Sequence, residues 1–66
     1  MRIRNVETGN LWNFNEIATD NRVIDILEEN EDELLDVSVT PAGQLILLCE
    51  SGKWYEFPYG DYYMET

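Results

Sequence analysis

The C-terminal half of the chain carries the pattern that most restricts its fold: three short apolar segments separated by residues typical of tight turns. Residues 35–39 alternate apolar and polar side chains, as expected of a strand with one buried face. Residues 40–44 contain a proline and a glycine at positions that suit a type I turn, and Ser51-Gly52 supplies a second turn. We therefore predict a three-stranded antiparallel meander over residues 35–57.

The middle segment of this meander, residues 44–50, is apolar on both of its faces. Its alternating side chains are Leu45, Leu47 and Cys49 on one face and Ile46 and Leu48 on the other. A strand of this kind is normally covered on both sides. We expect the second cover to be the first β-hairpin of the chain or a second copy of the protein.

The N-terminal half predicts a hairpin followed by a helix. Residues 1–14 place Thr8-Gly9-Asn10 between two apolar segments, which favours a β-hairpin. Residues 16–30 are predicted to be helical, because their apolar residues follow a 3.6-residue repeat: Ile17, Val23, Ile24 and Leu27. Asn15 or Asp20 would cap the helix, and weak helix formers at 19–21 leave Asp20 or Asn21 as an alternative start. The helix would end at Asn30 or continue to Leu34.

The chain of 66 residues is long enough for a single domain. We predict the α+β class: a small antiparallel sheet of four to five strands in ββαβββ order, with one helix packed on a face. Residues 58–66 would follow as a tyrosine-rich tail. Trp12 and Trp54 are expected in the core, because a domain of this size needs their bulk.

Few residues in the chain are suited to catalysis or to holding a cofactor. The sequence has no histidine, and Cys49, its one cysteine, falls in the most apolar segment. Its glycines are scattered rather than gathered in a phosphate-binding loop, and the acidic residues lack the spacing of a calcium loop. We therefore predict no catalytic residues, no cofactor and no dedicated metal site.

The charge of the chain indicates which partners it would attract. Fourteen acidic residues against four basic ones give a formal net charge of −10. Such a chain should avoid nucleic acids and anionic membranes and should attract basic proteins. A single cysteine allows no intramolecular disulfide, which favours a reducing cytoplasm, and no segment is typical of a signal peptide or a membrane span.

Half of the fourteen carboxylates are concentrated between residues 25 and 36. We call these residues the acidic surface: Asp25, Glu28, Glu29, Glu31, Asp32, Glu33 and Asp36. If the helix ran through them, four would share one face, at spacings i, i+3, i+4 and i+7. Neither their mutual repulsion nor their position near the helix C-terminus stabilises a helix. They form either a solvated face or a surface that imitates nucleic-acid phosphates.

The tail supplies a second set of candidate contact residues: Tyr59, Asp61, Tyr62 and Tyr63. Tyrosine is enriched in protein interfaces, although one or two of these side chains would serve equally to cover a sheet edge.

The sequence thus predicts a non-enzymatic module whose acidic surface binds a basic protein partner, in particular a nucleic-acid-binding protein that it inhibits by phosphate mimicry. Its size, acidity and lack of catalytic residues resemble in type those of small phage or mobile-element inhibitors. The alternative is a structural protein that self-associates, for example as a homodimer, through its sheet edge and tail, with the acidic residues serving solubility.

Overall fold

A computed structural model describes residues 2–65, which form six strands and two helices. The α+β class is confirmed. The elements are β1 (Arg2–Asn5), β2 (Leu11–Trp12), α1 (Phe14–Ala18), α2 (Asn21–Glu29), β3 (Leu34–Val39), β4 (Leu45–Cys49), β5 (Trp54–Phe57) and β6 (Tyr62–Glu65). The expected single sheet is wrong, because the strands form two three-stranded sheets, of order β2-β1-β6 and β3-β4-β5.

The predicted meander is confirmed as the antiparallel sheet β3-β4-β5. The β3–β4 turn has Gly43 at a φ of +90°, and its N–H donates to the carbonyl of Thr40 at 2.9 Å. A glycine adopts this conformation without the steric cost that a β-carbon imposes.

The inward alternation expected of residues 35–39 holds only in part. A β-bulge lies between Leu34 and Asp36, so that Asp36 pairs with Leu48 while Leu34 pairs with Cys49. Leu34 therefore packs against the core, whereas Leu35 is 61% exposed. A bulge adds one residue to a strand and reverses the side that the preceding residues face.

The N-terminal hairpin is confirmed, but the expected tail is wrong. Instead, β6 pairs antiparallel with β1, with Met64 opposite Ile3 and Tyr62 opposite Asn5. The N–H of Tyr62 also donates to the carbonyl of Gly43 at 2.9 Å, which links the two sheets.

The predicted helix is two helices that meet at Thr19 and Asp20. The second begins at Asn21, as the alternative start predicted, and Asp20 is its N-cap, with its side chain accepting from the N–H of Arg22 at 2.8 Å. The cap of α1 is Asn13 rather than Asn15. No helix within residues 2–65 is long and apolar enough to cross a membrane.

The core lies between the two sheets and the helices. Its buried side chains come from every layer: Ile3, Ile17, Val23, Val37, Leu45, Leu47, Phe57 and Tyr62. Trp12 packs against this cluster, with its ring 5.8 Å from that of Tyr62. The expectation for Trp54 is wrong, since its side chain is 62% exposed.

Candidate functional site

The acidic surface is exposed but does not form one helical row. Because α2 ends at Glu29, only Asp25, Glu28 and Glu29 share the helix face, and Asp32 lies beyond it. Glu31, Glu33 and Asp36 are also exposed, and Asp32 is half-buried. The predicted i, i+3, i+4, i+7 row is therefore wrong at its last member.

The chain leaves α2 through a Schellman turn. The N–H of Asp32 donates to the carbonyl of Leu27 at 3.0 Å, and that of Glu31 to the carbonyl of Glu28 at 3.2 Å. Glu31 takes the left-handed position, at a φ of +52°, where helices usually carry glycine. This turn separates the helical part of the acidic surface from Asp32 and Glu33.

Asp32 joins the end of α2 to the loop between β4 and β5. Its carboxylate accepts hydrogen bonds from the Ser51 hydroxyl, the Glu33 N–H at 2.9 Å and the Tyr55 hydroxyl at 3.5 Å. The Ser51 hydroxyl is the main reason that the pKa of Asp32 lies below its usual value, because these donors favour the ionised carboxylate. Asp32 therefore stabilises the local fold besides carrying charge.

Glu50 is an acidic neighbour that the sequence prediction missed. Its N–H donates to the carbonyl of Glu33 at 2.9 Å, next to the pairing of Leu34 with Cys49. The two carboxyl groups are close enough that a hydrogen bond with Glu33, and then its charge, raises the pKa of Glu50. The predicted meander could have indicated this proximity, because antiparallel pairing of β3 with β4 brings residues just before β3 beside those just after β4.

Positive charge does not compensate the acidic surface within the described chain. The ion pairs of residues 2–65 join Arg4 to Glu65 at 2.9 Å and Arg22 to Asp20 at 3.0 Å, and neither includes a member of the surface. Across the same residues, no three potential ligand groups converge on one metal position. The arrangement presents carboxylates to solvent, where they are able to attract cationic groups of a partner.

The structure separates the residues of the predicted tyrosine surface. Tyr62 is 3% exposed and belongs to the core. The ring of Tyr59 packs on Phe57 at 5.2 Å, whereas Tyr63 lies on β6, opposite Arg4 of β1. Asp61 is exposed, and its carbonyl accepts from the N–H of Val6 at 2.8 Å. Tyr62 is therefore wrong as a contact residue, and self-association through Tyr59, Asp61 and Tyr63 stays a prediction.

A second candidate surface is the solvent-facing side of the sheet β3-β4-β5, which we call the outer face. Register places Asp36, Leu48 and Trp54 in one row across the three strands. The next row is Ser38, Ile46 and Glu56. A shallow depression of about 320 Å³ opens over this face, lined by Ser38, Thr40, Ile46, Leu48 and Trp54.

The apolar side chains of the outer face were visible in the sequence as the second apolar side of residues 44–50. One of the two covers expected for it, the N-terminal hairpin, belongs to the other sheet, and a second copy as the cover stays a prediction. Leu45, Leu47 and Cys49 instead fill the covered side of β4. Burial raises the pKa of the Cys49 thiol, as suits a core residue better than a nucleophile.

The site thus consists of carboxylates around the end of α2 and the β4–β5 loop, and of an apolar sheet face that begins beside Asp36. Comparison with models of protein families, with curated proteins and with solved structures finds no match to this chain. What the protein does has to be inferred from the chemistry of these two surfaces.

Proposed function

We propose that the protein is a non-enzymatic cytoplasmic binding module, whose acidic surface docks on a basic patch of a nucleic-acid-binding protein and blocks it. The observation that carries this proposal is the absence of any ion pair to the acidic surface within residues 2–65. A basic partner would supply the positive charge that the chain itself does not place there.

The fold gains little from the helical acids, which supports a role outside the fold. Glu28 and Glu29 lie in the last turn of α2, at the negative end of the helix dipole, and no basic residue occupies that turn. Their spacing from Asp25 also places like charges on neighbouring positions of one face. Each of these effects disfavours the helix by a few tenths of a kcal/mol.

The spacing of the carboxylates supports imitation of a nucleic-acid backbone. Side chains three or four residues apart on a helix have β-carbons roughly 5–6 Å from one another, and the phosphate charges of a nucleic-acid strand likewise follow each other at intervals of several ångströms. Glu28 and Glu29 lie three and four residues after Asp25 on α2, and Glu33 and Glu50 add a second pair beyond the helix end. A groove of Lys and Arg side chains would accept such a surface in place of phosphates.

The test is capture of a partner by tagged protein from a bacterial lysate, across a salt series, with duplex DNA as competitor. We expect a nucleic-acid-binding protein to be retained, to be released as salt rises, and to be displaced by the DNA. The double variant Glu28→Lys/Glu29→Lys should lose this protein. Asp32 is left unchanged in this variant because it bonds to Ser51 and Tyr55.

The matched control is Glu7→Lys/Glu16→Lys, which changes the net charge by the same amount at exposed positions in the β1–β2 turn and α1. It should retain the partner. Equal loss in both variants would show that only net charge matters. Equal retention in both, failure of DNA to compete, or no captured nucleic-acid-binding protein would also overturn the proposal.

A further inference from the structure

The outer face carries an apolar centre that no element of residues 2–65 covers. Trp54 is 62% exposed, and Leu48 lies beside it in the same row. Ile46 lies one row further along β4, and Leu35 is exposed at the bulge that precedes Asp36. Single apolar side chains are common on protein surfaces, whereas Ile46, Leu48 and Trp54 line one depression together, and apolar patches with a polar rim are typical of interaction sites.

The dimensions of the outer face suit a narrow occupant. Three strands span roughly 9–10 Å between the outermost two, because neighbouring strands are about 4.8 Å apart. An α-helix with its side chains is roughly 10–12 Å across, which matches this width. Ile46 and Leu48 are separated along β4 by about 7 Å, close to the rise of about 6 Å between helical residues i and i+4.

A second copy of the chain fits this face less well. Each copy carries a formal charge of −10, so that two copies repel each other. If two outer faces met, Asp36 and Glu56 at the margins of one would also approach the same carboxylates of the other.

Carboxylates border the apolar centre on both sides. Asp36 lies on β3 beside Leu48, and Glu56 lies on β5 beside Ile46. The Glu56 carboxylate is held in place by the side-chain amide of Gln44, which donates to it at 2.8 Å. An occupant that meets this surface therefore needs an apolar stripe with positive charges along both of its margins, which is the pattern of a basic amphipathic helix.

We propose that the outer face binds a basic amphipathic helix of the partner protein, with Trp54 as its anchor. The inference rests on the proposed function, which gives the class of partner. It adds the part of that partner that the outer face would bind. The apolar stripe of the helix lies along β4 over Ile46 and Leu48. Lysine or arginine side chains on its two margins reach Asp36 and Glu56. Tryptophan is the residue type most often responsible for binding energy in such contacts.

The test uses a short synthetic peptide of the repeating heptad Leu-Lys-Lys-Leu-Leu-Lys-Leu, which forms a basic amphipathic helix. Its affinity is measured by isothermal titration calorimetry against the wild-type protein and two variants. Trp54→Ser removes the proposed anchor from an exposed position. Met64→Ser is the matched control, because it removes a 41%-exposed apolar side chain from the other sheet. Circular dichroism confirms that each variant is folded.

A second peptide separates apolar recognition from simple charge attraction. It has the same leucine and lysine content, arranged so that no apolar stripe forms on a helix. We expect the amphipathic peptide to bind the wild type and the Met64→Ser variant equally. Trp54→Ser should lower the affinity for the amphipathic peptide by roughly tenfold or more, the loss typical of a tryptophan anchor. The rearranged peptide should bind the wild type and Trp54→Ser with equal affinity, and more weakly than the amphipathic peptide binds the wild type.

Three results would overturn the inference. The first is equal affinity of the amphipathic peptide for Trp54→Ser and the wild type, and the second is equal affinity of both peptides for the wild type. The third is self-association of the wild type that Trp54→Ser abolishes, seen by sedimentation, which would assign the face to a second copy. The Glu28→Lys/Glu29→Lys capture experiment would still decide the proposed function, because it probes α2 and leaves the outer face unchanged.

Discussion

The guanidinium carbon of Arg22 lies 4.9 Å from the centroid of the Phe57 ring and 5.1 Å from that of Tyr59. Its Nη2 is also 3.0 Å from Oδ2 of Asp20, the N-cap of α2. One arginine thus joins the start of α2 to the end of β5. This contact positions the helix that carries Asp25, Glu28 and Glu29.

Replacement of this arginine should cost more stability than replacement of its ion-pair partner. Arg22→Gln removes the ion pair together with the contact to the aromatic rings, whereas Asp20→Asn removes the ion pair but keeps the ring contact and a side-chain oxygen that caps α2. We expect Arg22→Gln to lower the free energy of unfolding by about 0.5–1 kcal/mol more than Asp20→Asn does, the worth of a cation on exposed aromatic rings. Urea titration of both variants measures the difference. Equal losses would show that the rings contribute nothing.

Glu31→Gly should stabilise the protein. Glu31 holds a φ of +52°, a left-handed conformation that costs a residue with a β-carbon about 1 kcal/mol and costs glycine little. The control is Glu31→Gln, which removes the same charge but keeps the β-carbon. We expect the glycine variant alone to raise the urea midpoint by an amount that corresponds to about 1 kcal/mol. A glutamine variant of equal stability would assign the gain to charge rather than to conformation.

Glu50→Gln should stabilise the protein at neutral pH but not in acid. The Glu33 carboxyl raises the pKa of Glu50 above its usual 4.5, so that the folded state binds this proton more tightly than the unfolded state. The contribution of Glu50 to stability is therefore present below that usual value and is lost as the pH rises through the raised pKa. Glutamine is neutral throughout.

The measurement for Glu50→Gln is the thermal midpoint across a pH series. The midpoint should exceed that of the wild type at neutral pH, and the gap should close as the pH falls below 4.5, the usual pKa of Glu50. Glu7→Gln, which removes an exposed charge from the β1–β2 turn, should give a smaller gain at neutral pH. A gap that persists in acid would contradict the interaction with Glu33.

Truncation of the two tryptophans should change the free energy of unfolding by very different amounts. Trp12 packs its ring on Phe57 and Tyr62, at 6.4 and 5.8 Å between centroids, whereas Trp54 is 62% exposed. We expect Trp12→Ala to lower the free energy of unfolding by about 3 kcal/mol, a large part of the stability of so small a domain. Trp54→Ala should change it by less than about 1 kcal/mol. Similar losses would mean that the outer face is covered in solution.

The sequence by itself determined the elements whose signals are local. The meander over residues 35–57, the N-terminal hairpin and the start of α2 at Asn21 were all predictable, because turn residues and apolar alternation act over a few neighbours. The concentration of carboxylates between Asp25 and Asp36 was equally plain from the sequence.

Only the tertiary structure decided how these elements combine. β6 was missed because its partner β1 lies at the other end of the chain, and this pairing also turned Tyr62 into the core. The bulge that exposes Leu35 shifts the register of β3 by one residue, and the alternation of apolar and polar residues does not predict such a shift. Strand pairing likewise brought Glu50 to Glu33. A strand apolar on both faces predicts that both are covered, but the arrangement of the two sheets leaves Ile46, Leu48 and Trp54 lining a depression that no other element of residues 2–65 fills.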